Sequence, residues 1–355
     1  MKVYFVVKEP SERTINHFVE SLGKSLEARG CEVVYGLKRL WTDNVLECDV
    51  VHFQWPEFIF KPCTNADVAR MKNRLEWLKE HGVKIFCTCH NLKPHAKKDE
   101  AIKRLYDVLY THADTIVHLG NYSRELLQKQ YPNERHVVVP HHIYNNMLTF
   151  AASQQEARQK LHLPNDRKVV LCFGKFRNDK ERLFVLNLKK RVENSTLYTL
   201  HSTLFLMPGF YRESLHTWNP KKLLKRLYHT VCYRLSGIRF SNEVIPDDLM
   251  QCYFCAADAV LIQRLDILNS GNLPMAFAAG KVVAGPDIGN VGEILKETGN
   301  MVFKPDDIEA AALAVRVALK MGPAIGKNNK EYAEEHWSSG VIAKKLLEYY
   351  NNNER

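Results

Sequence analysis

No Gly-x-Gly-x-x-Gly fingerprint follows the first apolar run of this sequence, and neither a Walker-type phosphate loop nor a Gly-x-Ser-x-Gly elbow occurs in it. Those absences argue against nicotinamide enzymes, nucleoside triphosphatases and serine hydrolases of the elbow type. No apolar stretch reaches membrane-spanning length, and Met1–Val7 is too short for a signal-peptide core and lacks a small-residue cleavage site. The chain is therefore expected to start and stay in the cytoplasm. Low-complexity tracts and internal repeats are missing as well, and 45% hydrophobic with 25% charged residues is the composition of an ordinary globular protein. Acidic residues are the scarcer sign. Forty Asp and Glu against fifty Lys and Arg leave a formal charge of +10, a field that attracts phosphorylated small molecules, an anionic leaflet or nucleic acid.

Cysteine is present without the even count of a disulfide framework. The nine cysteines are scattered through apolar segments such as Cys87-Thr88-Cys89 and read as buried free thiols in a reducing compartment. Cys252 and Cys255 have metal-like spacing, but no second pair follows and they fall in a helical pattern, which favours core packing over zinc.

At 355 residues the chain has room for two domains, each with its own core. Short β-branched runs alternate with helical periods. Lys2–Val7 reads as a strand, Ile15, Phe18, Leu22 and Leu26 fall at helical spacing, and Gly30 stops the helix. Strands follow at Val33–Tyr35, Asp49–Phe53, Val83–Thr88, Asp114–His118 and Val137–Val139, with helices predicted over about 67–80 and 99–111. Pro140 and the stretch Asn145–Gln154 interrupt the alternation. A second series runs through Val169–Phe173, Tyr198–Leu206, Ala259–Ile262, Val282–Ala284 and Met301–Phe303. Both series predict doubly wound, mostly parallel α/β domains. The expected division is residues 1–150, residues 151–336, and a closing helix in 337–355 that packs back toward the first domain. In this architecture ligands bind at the C-terminal ends of the strands, here expected in a crevice where the two domains face each other. One segment breaks the pattern: Lys221-Lys222-Leu223-Leu224-Lys225-Arg226-Leu227-Tyr228 reads either as a solvated helix face or as a membrane-surface contact suited to a lipid-linked substrate.

The most informative stretch runs from Arg264 to Gly289. Asn269-Ser270-Gly271 sits where a helix begins after a buried strand, so free backbone N–H groups there can hold a phosphate, and Gly271 lets it approach; a helix cap explains the same residues. Gly280 then ends the helix, and Asp287–Gly292 forms a Gly-rich loop. This order of turn, Leu-Pro, small-residue helix, Gly, strand and Gly-rich loop resembles the donor-binding segment of GT-B glycosyltransferases, especially retaining family four. The resemblance implies two Rossmann-like domains and sugar transfer from a UDP- or GDP-sugar during cell-surface polysaccharide assembly, with retention of configuration. In that family a carboxylate commonly opens the motif and a second one follows; Asn269 and Phe277 stand in those places here.

Other residues extend the resemblance. Gly174-Lys175-Phe176-Arg177-Asn178-Asp179-Lys180 follows the first strand of the second series, where similar transferases place basic groups against the donor diphosphate. Arg177 and Lys180, with Arg264, are the candidates; fixed cations stabilise a departing nucleoside diphosphate without reorganisation, although an exposed basic loop is the bland alternative. His90-Asn91 ends a buried strand, and similar enzymes use a His there to contact the transferred sugar; a satisfied structural histidine is the alternative. On the acceptor side Asn16, His52, Asn91 and His142 are the candidates, with Trp55 as an aromatic platform, against capping, linker and half-buried roles. No acidic pair for a metal is visible, and no cofactor beyond the nucleotide-sugar co-substrate is expected. Two rivals share parts of this pattern: a GT-B sugar-nucleotide epimerase, which would turn over donor without acceptor, and a polyanion-binding module, whose binding would fall steeply with salt.

Overall fold

The structure, a computed structural model, describes residues 1–9, 17–92, 99–193, 203–209, 220–241 and 245–352. It divides into two compact units, one made of Met1–Met147 with Glu335–Arg355 and the other of Leu148–Glu334.

In the first unit β1 (Lys2–Val6), α1 (His17–Glu27), β2 (Glu32–Tyr35), β3 (Val50–Phe53), α2 (Asn65–Glu80), β4 (Lys84–Cys89), α3 (Glu100–His112), β5 (Thr115–His118), α4 (Asn121–Gln130) and β6 (Arg135–Val138) follow one another. The strands form one parallel six-stranded sheet in the order β2-β1-β3-β4-β5-β6. Strands covered on both faces are mostly apolar: in β3 and β4 Val50, Val51, Phe53, Ile85, Phe86 and Cys87 are all buried, and the polar His52 and Thr88 among them pair with each other. The helices start where short polar side chains take up their first amides. Thr64 and Asp67 close a capping box on α2, and Asp99 accepts from the amides of Ala101 and Ile102 on α3.

The second unit contains α5 (Gln154–Lys160), β7 (Val169–Leu171), α6 (Asp179–Glu193), β8 (Leu204–Pro208), α7 (Pro220–Leu235), β9 (Ile238–Ser241), α8 (Asp247–Ala256), β10 (Ala259–Leu261), α9 (Asn272–Ala278), β11 (Val282–Pro286), α10 (Gly289–Glu297), β12 (Met301–Phe303) and α11 (Ile308–Lys320). Its sheet is again six-stranded and parallel, in the order β12-β11-β10-β7-β8-β9. Phe184, Leu188, Phe205, Leu261 and Val315 form its core. Two helices close the chain: α12 (Gly322–Trp337), which runs out of this unit, and α13 (Ser339–Asn351), which belongs to the first. On α13 the Ser339 hydroxyl is 3.2 Å from that of Ser21, and Tyr350 is fully buried.

The strand expected over Tyr198–Leu206 is shorter and later, Leu204–Pro208, with residues 198–202 outside the described part. The edge strand β9 carries no clear alternation in Ile238-Arg239-Phe240-Ser241, and its pairing to β8 is what makes it a strand. All nine cysteines are free, and Cys252 and Cys255 are buried on α8. No helix among the described residues is long and apolar enough to cross a membrane.

Candidate functional site

In the second unit the chemistry gathers where β7 and β10 end. Leaving β7, the chain turns at Gly174 with φ +94°, a conformation that side chains with a Cβ rarely adopt. The Phe173 carbonyl at that turn accepts from Asn272 Nδ2 at 2.8 Å and Gln263 Nε2 at 3.3 Å, which ties the loop after β7 to the loop after β10. Arg264 crosses the same gap, its Nη2 donating to the Lys175 carbonyl at 3.2 Å. Burial pushes the Arg264 guanidinium down to about 10; the positive charge of Arg177 adds to this and Glu181 opposes it. Among the described residues no carboxylate lies within ion-pair distance of Arg264. Glu181 is spent on the loop itself, accepting from the Arg177 amide at 2.8 Å. The Arg177 charge, which disfavours that of Arg264, makes this a place where an anion would be stabilised.

Three of the expected contributors behave differently. Lys180 is largely exposed and lies 3.6 Å from Asp306, in the turn after the edge strand β12, so the structure gives its ammonium to an exposed ion pair and not to the Arg177–Arg264 pair. Ser270 and Gly271 precede α9, but that helix has seven residues and its first amides are already used: Asn272 N donates to the Ser270 hydroxyl at 3.3 Å and Leu273 N to the Ser270 carbonyl at 3.2 Å. Two of the amides that the expected anion site would use are therefore engaged within the chain, which leaves Arg177 and Arg264 as the candidate anion contacts. Asn269 accepts from Asn290 at 2.7 Å, and the two amides join the loop after β10 to the start of α10. Behind them Gly289, at φ +59°, sits so close to Ile267 that a Cβ would lie 2.7 Å from its carbonyl oxygen. Phe277, where the resembling family has a carboxylate, is fully buried on α9. Lys175 and Arg177 are exposed in the loop after β7.

In the first unit the strand ends build a ring cluster around Phe18. Its ring centroid lies 5.0 Å from that of His90, 4.8 Å from His141 and 4.9 Å from His142. Trp55 stacks on His90 at 4.1 Å with planes 19° apart. His90 Nε2 is 2.8 Å from Gln54 Oε1, so the imidazole donates there and its tautomer is fixed. Burial, with His141 and His52 adding to it, holds the His90 pKa well below the ordinary 6.5. Burial likewise puts His141 at about 4 and, together with His141, His142 well below its ordinary value. The cluster is neutral at pH 7 and makes hydrogen bonds with no charge of its own. It is also unfinished: both ring nitrogens of His142 and the Gln54 side-chain amide nitrogen are buried and have no hydrogen-bond partner among the described residues. A buried polar group left in that state costs about 1–3 kcal/mol, which a ligand hydroxyl would relieve.

His52 is a correction. Its Nδ1 is 2.6 Å from the Tyr350 hydroxyl and its Nε2 2.8 Å from Thr88 Oγ1, so neither nitrogen is left for an acceptor. The ring is a core joint that fastens α13 to the sheet, and burial takes its pKa to about 3. Asn91 follows His90 at the end of β4, its carbonyl 3.7 Å from Cys89 Sγ. Asn16 lies outside the described residues. A cavity of about 570 Å³ opens at the opposite edge of this sheet, beside Lys84, Thr115 and Arg135, and none of the cluster residues lines it. Gln54 and Glu181 were not legible as site residues, since a Gln after a strand and a Glu in a first helical turn carry no motif. Among the described residues no group of three or more His, Cys, Asp or Glu side chains is placed to hold a metal ion.

No protein-family model and no curated protein matches the sequence. Solved structures do match, over almost the whole chain. Sucrose-phosphate synthase from Thermosynechococcus elongatus superposes with a TM-score of 0.73 at 14% identity, covering 98% of both chains. Anabaena HepE in complex with UDP-glucose gives 0.69 at 13% identity, over 98% of this chain and 99% of that one. A glycosyltransferase from Rickettsia africae ESF-5 gives 0.67 at 14%, over 98% and 97%. At such identities the likeness establishes the fold, which is GT-B: two parallel six-stranded sheets flanked by helices.

Proposed function

We propose that this chain is a glycosyltransferase that moves a sugar from a nucleotide-diphosphate sugar, with UDP or GDP as the nucleotide, to a saccharide or lipid-linked acceptor in cell-surface polysaccharide synthesis. The observation that carries the reading is the Arg177–Arg264 pair at the C-terminal edge of the second sheet, two cations with no carboxylate within ion-pair distance of Arg264 among the described residues. The nucleotide sugars bound by GT-B neighbours such as HepE support it. In the reaction the acceptor hydroxyl oxygen forms a bond to the anomeric carbon while the bond from that carbon to the diphosphate breaks. The hydroxyl proton leaves with the diphosphate, and the charge that develops there is held by Arg264 and Arg177, with Lys175 beside them. The first unit offers neutral partners for sugar hydroxyls in His90, Gln54 and His142; His90, neutral at working pH, positions a sugar instead of supplying an acid. The reading includes retention of configuration, which the family resemblance implies, and, from the residues of the sequence, no metal requirement, no separate cofactor, and work in the cytoplasm at the inner leaflet.

Calorimetry with UDP-glucose and GDP-mannose tests the site. One of them is expected to bind, and Arg264→Ala to weaken it by about 1–3 kcal/mol, the worth of a charged hydrogen bond. Affinity unchanged in both Arg264→Ala and Arg177→Ala would overturn the assignment, and donor turnover in the absence of any acceptor would move the protein to the epimerases.

A further inference from the structure

The helix α7 is held to its unit by one side and exposes an apolar stripe on the other. Tyr233, 1% exposed, enters the core of the second unit, and Cys232 packs partly against that core. Leu223, Leu224, Leu227, Tyr228, Val231 and Leu235 are exposed by 62, 69, 60, 65, 46 and 83%. Their spacing places them along one stripe of an α-helix. Elsewhere exposed large apolar residues are scattered, but six of the fourteen in the described residues fall on this one helix. A stripe of that kind on a folded surface marks a contact with something apolar.

Charge identifies the contact. From Pro220 to Leu235 the sequence has no Asp or Glu, while Lys221, Lys222, Lys225, Arg226 and Arg234 are all in the same helix. The side chains of Lys221, Lys222, Lys225 and Arg226 lie outside the described part of the structure, so their weight here is that of sequence alone. At the far end of α7 a shallow depression of about 290 Å³ is bordered by Arg234 and Arg239, beside Phe240. A purely cationic helix with an exposed leucine stripe has the composition of an element that lies flat in the headgroup region of an anionic bilayer. With sixteen residues and five cations it is too short and too charged to cross one.

We infer that α7 is the membrane-docking element of this protein, seating its exposed leucines and Tyr228 in the surface of an anionic bilayer. The inference deepens the lipid-linked side of the proposed function and rests on it for its purpose, because a lipid-linked acceptor is reached only by an enzyme at the membrane. Flotation of the full chain with phosphatidylglycerol–phosphatidylcholine vesicles at low salt tests it. The wild-type chain is expected to float with these vesicles, to be left behind by pure phosphatidylcholine, and to be released by raised salt but not by millimolar inorganic phosphate. The double variant Leu224→Glu/Leu227→Glu is expected to lose at least tenfold in vesicle partitioning while keeping its melting temperature and its UDP-glucose or GDP-mannose affinity. Failure of the wild type to float, equal flotation of the double variant, or a self-associated wild type that the double variant converts to monomer without lipid would each overturn it. Nucleotide-sugar binding is read in the same samples, so a loss of docking and a loss of the transferase reading are told apart.

Discussion

Arg158 and Arg264 lie at opposite edges of one sheet, and their surroundings could hardly differ more. Arg158, 4% exposed, sends Nη2 to Asp258 at 2.6 Å, Nε to the Ala256 carbonyl at 3.1 Å and Nη1 to the Asn165 carbonyl at 3.1 Å. Asp258 in turn accepts from the Val169 amide at 2.7 Å, so the N-terminal edge of the sheet is electrostatically complete. Arg264, at the edge where the strands end, has the Lys175 carbonyl and a second arginine for company. The first arginine is finished structure. The second is held in place by the fold and has no carboxylate within ion-pair distance among the described residues, which under the proposed function leaves it for a partner from outside.

Crossing the two arginines is the sharpest way to break that contrast. Arg158→Ala should lower unfolding stability by about 3–5 kcal/mol, because it leaves a nearly buried Asp258 without its closest partner, and chemical denaturation reads the loss. Nucleotide-sugar affinity of the folded fraction should be unmoved. Arg264→Ala should show the reverse, an affinity lower by about 1–3 kcal/mol with stability unchanged or slightly raised, because a burial cost and the Arg177 repulsion are both relieved. Two stability losses of equal size would erase the distinction drawn here.

A third test contrasts the neutral cluster of the first unit with the cationic loop of the second. His52 at about 3, His141 at about 4 and His90 and His142 well below 6.5 are all depressed in the folded state. Unfolded histidines take up protons below about pH 6.5, whereas these four do not until the pH is far lower. Their contribution is thus complete above pH 6.5 and lost as the pH falls toward 4, by about 2 kcal/mol per ring at pH 5. Thermal melts between pH 7.5 and 5 should fall, and His52→Gln should flatten the slope. The smallest effect is reserved for Lys180→Ala. An exposed ion pair contributes about 0–1 kcal/mol to stability, and with the ammonium turned to Asp306 the donor affinity should change by less than about 0.5 kcal/mol. A tenfold loss of affinity would return Lys180 to the diphosphate.

How far the sequence could carry these conclusions depended on the range of the interactions involved. Runs such as Val50–Phe53 and Lys84–Cys89 announce buried parallel strands because apolar content is a local property. The Arg177 and Arg264 loops were visible for the same reason, through strand ends and Gly punctuation. His52 was misread because its partner, Tyr350, is 298 positions away. Ser270 and Gly271 were read as a phosphate-binding helix start because a sequence shows where a helix begins but not which hydroxyl and carbonyl have taken its amides. Arg177 in the loop and Lys180 in the first turn of α6 are three positions apart, and the direction of each side chain is settled by the elements packed around it. The same limit hides the partnerless donors of Gln54 and His142, since an orphaned group is defined by everything around it.

The Ser21–Ser339 contact joins residues 318 positions apart. A ribosome making this protein therefore releases the opening sheet long before the helix that covers α1 has been synthesised, and the intervening unit has all its own strands in hand first. Maturation should accordingly proceed from the middle outward. A nascent chain halted before Ser339 would carry a second unit ready to resist protease and a first unit still open to it.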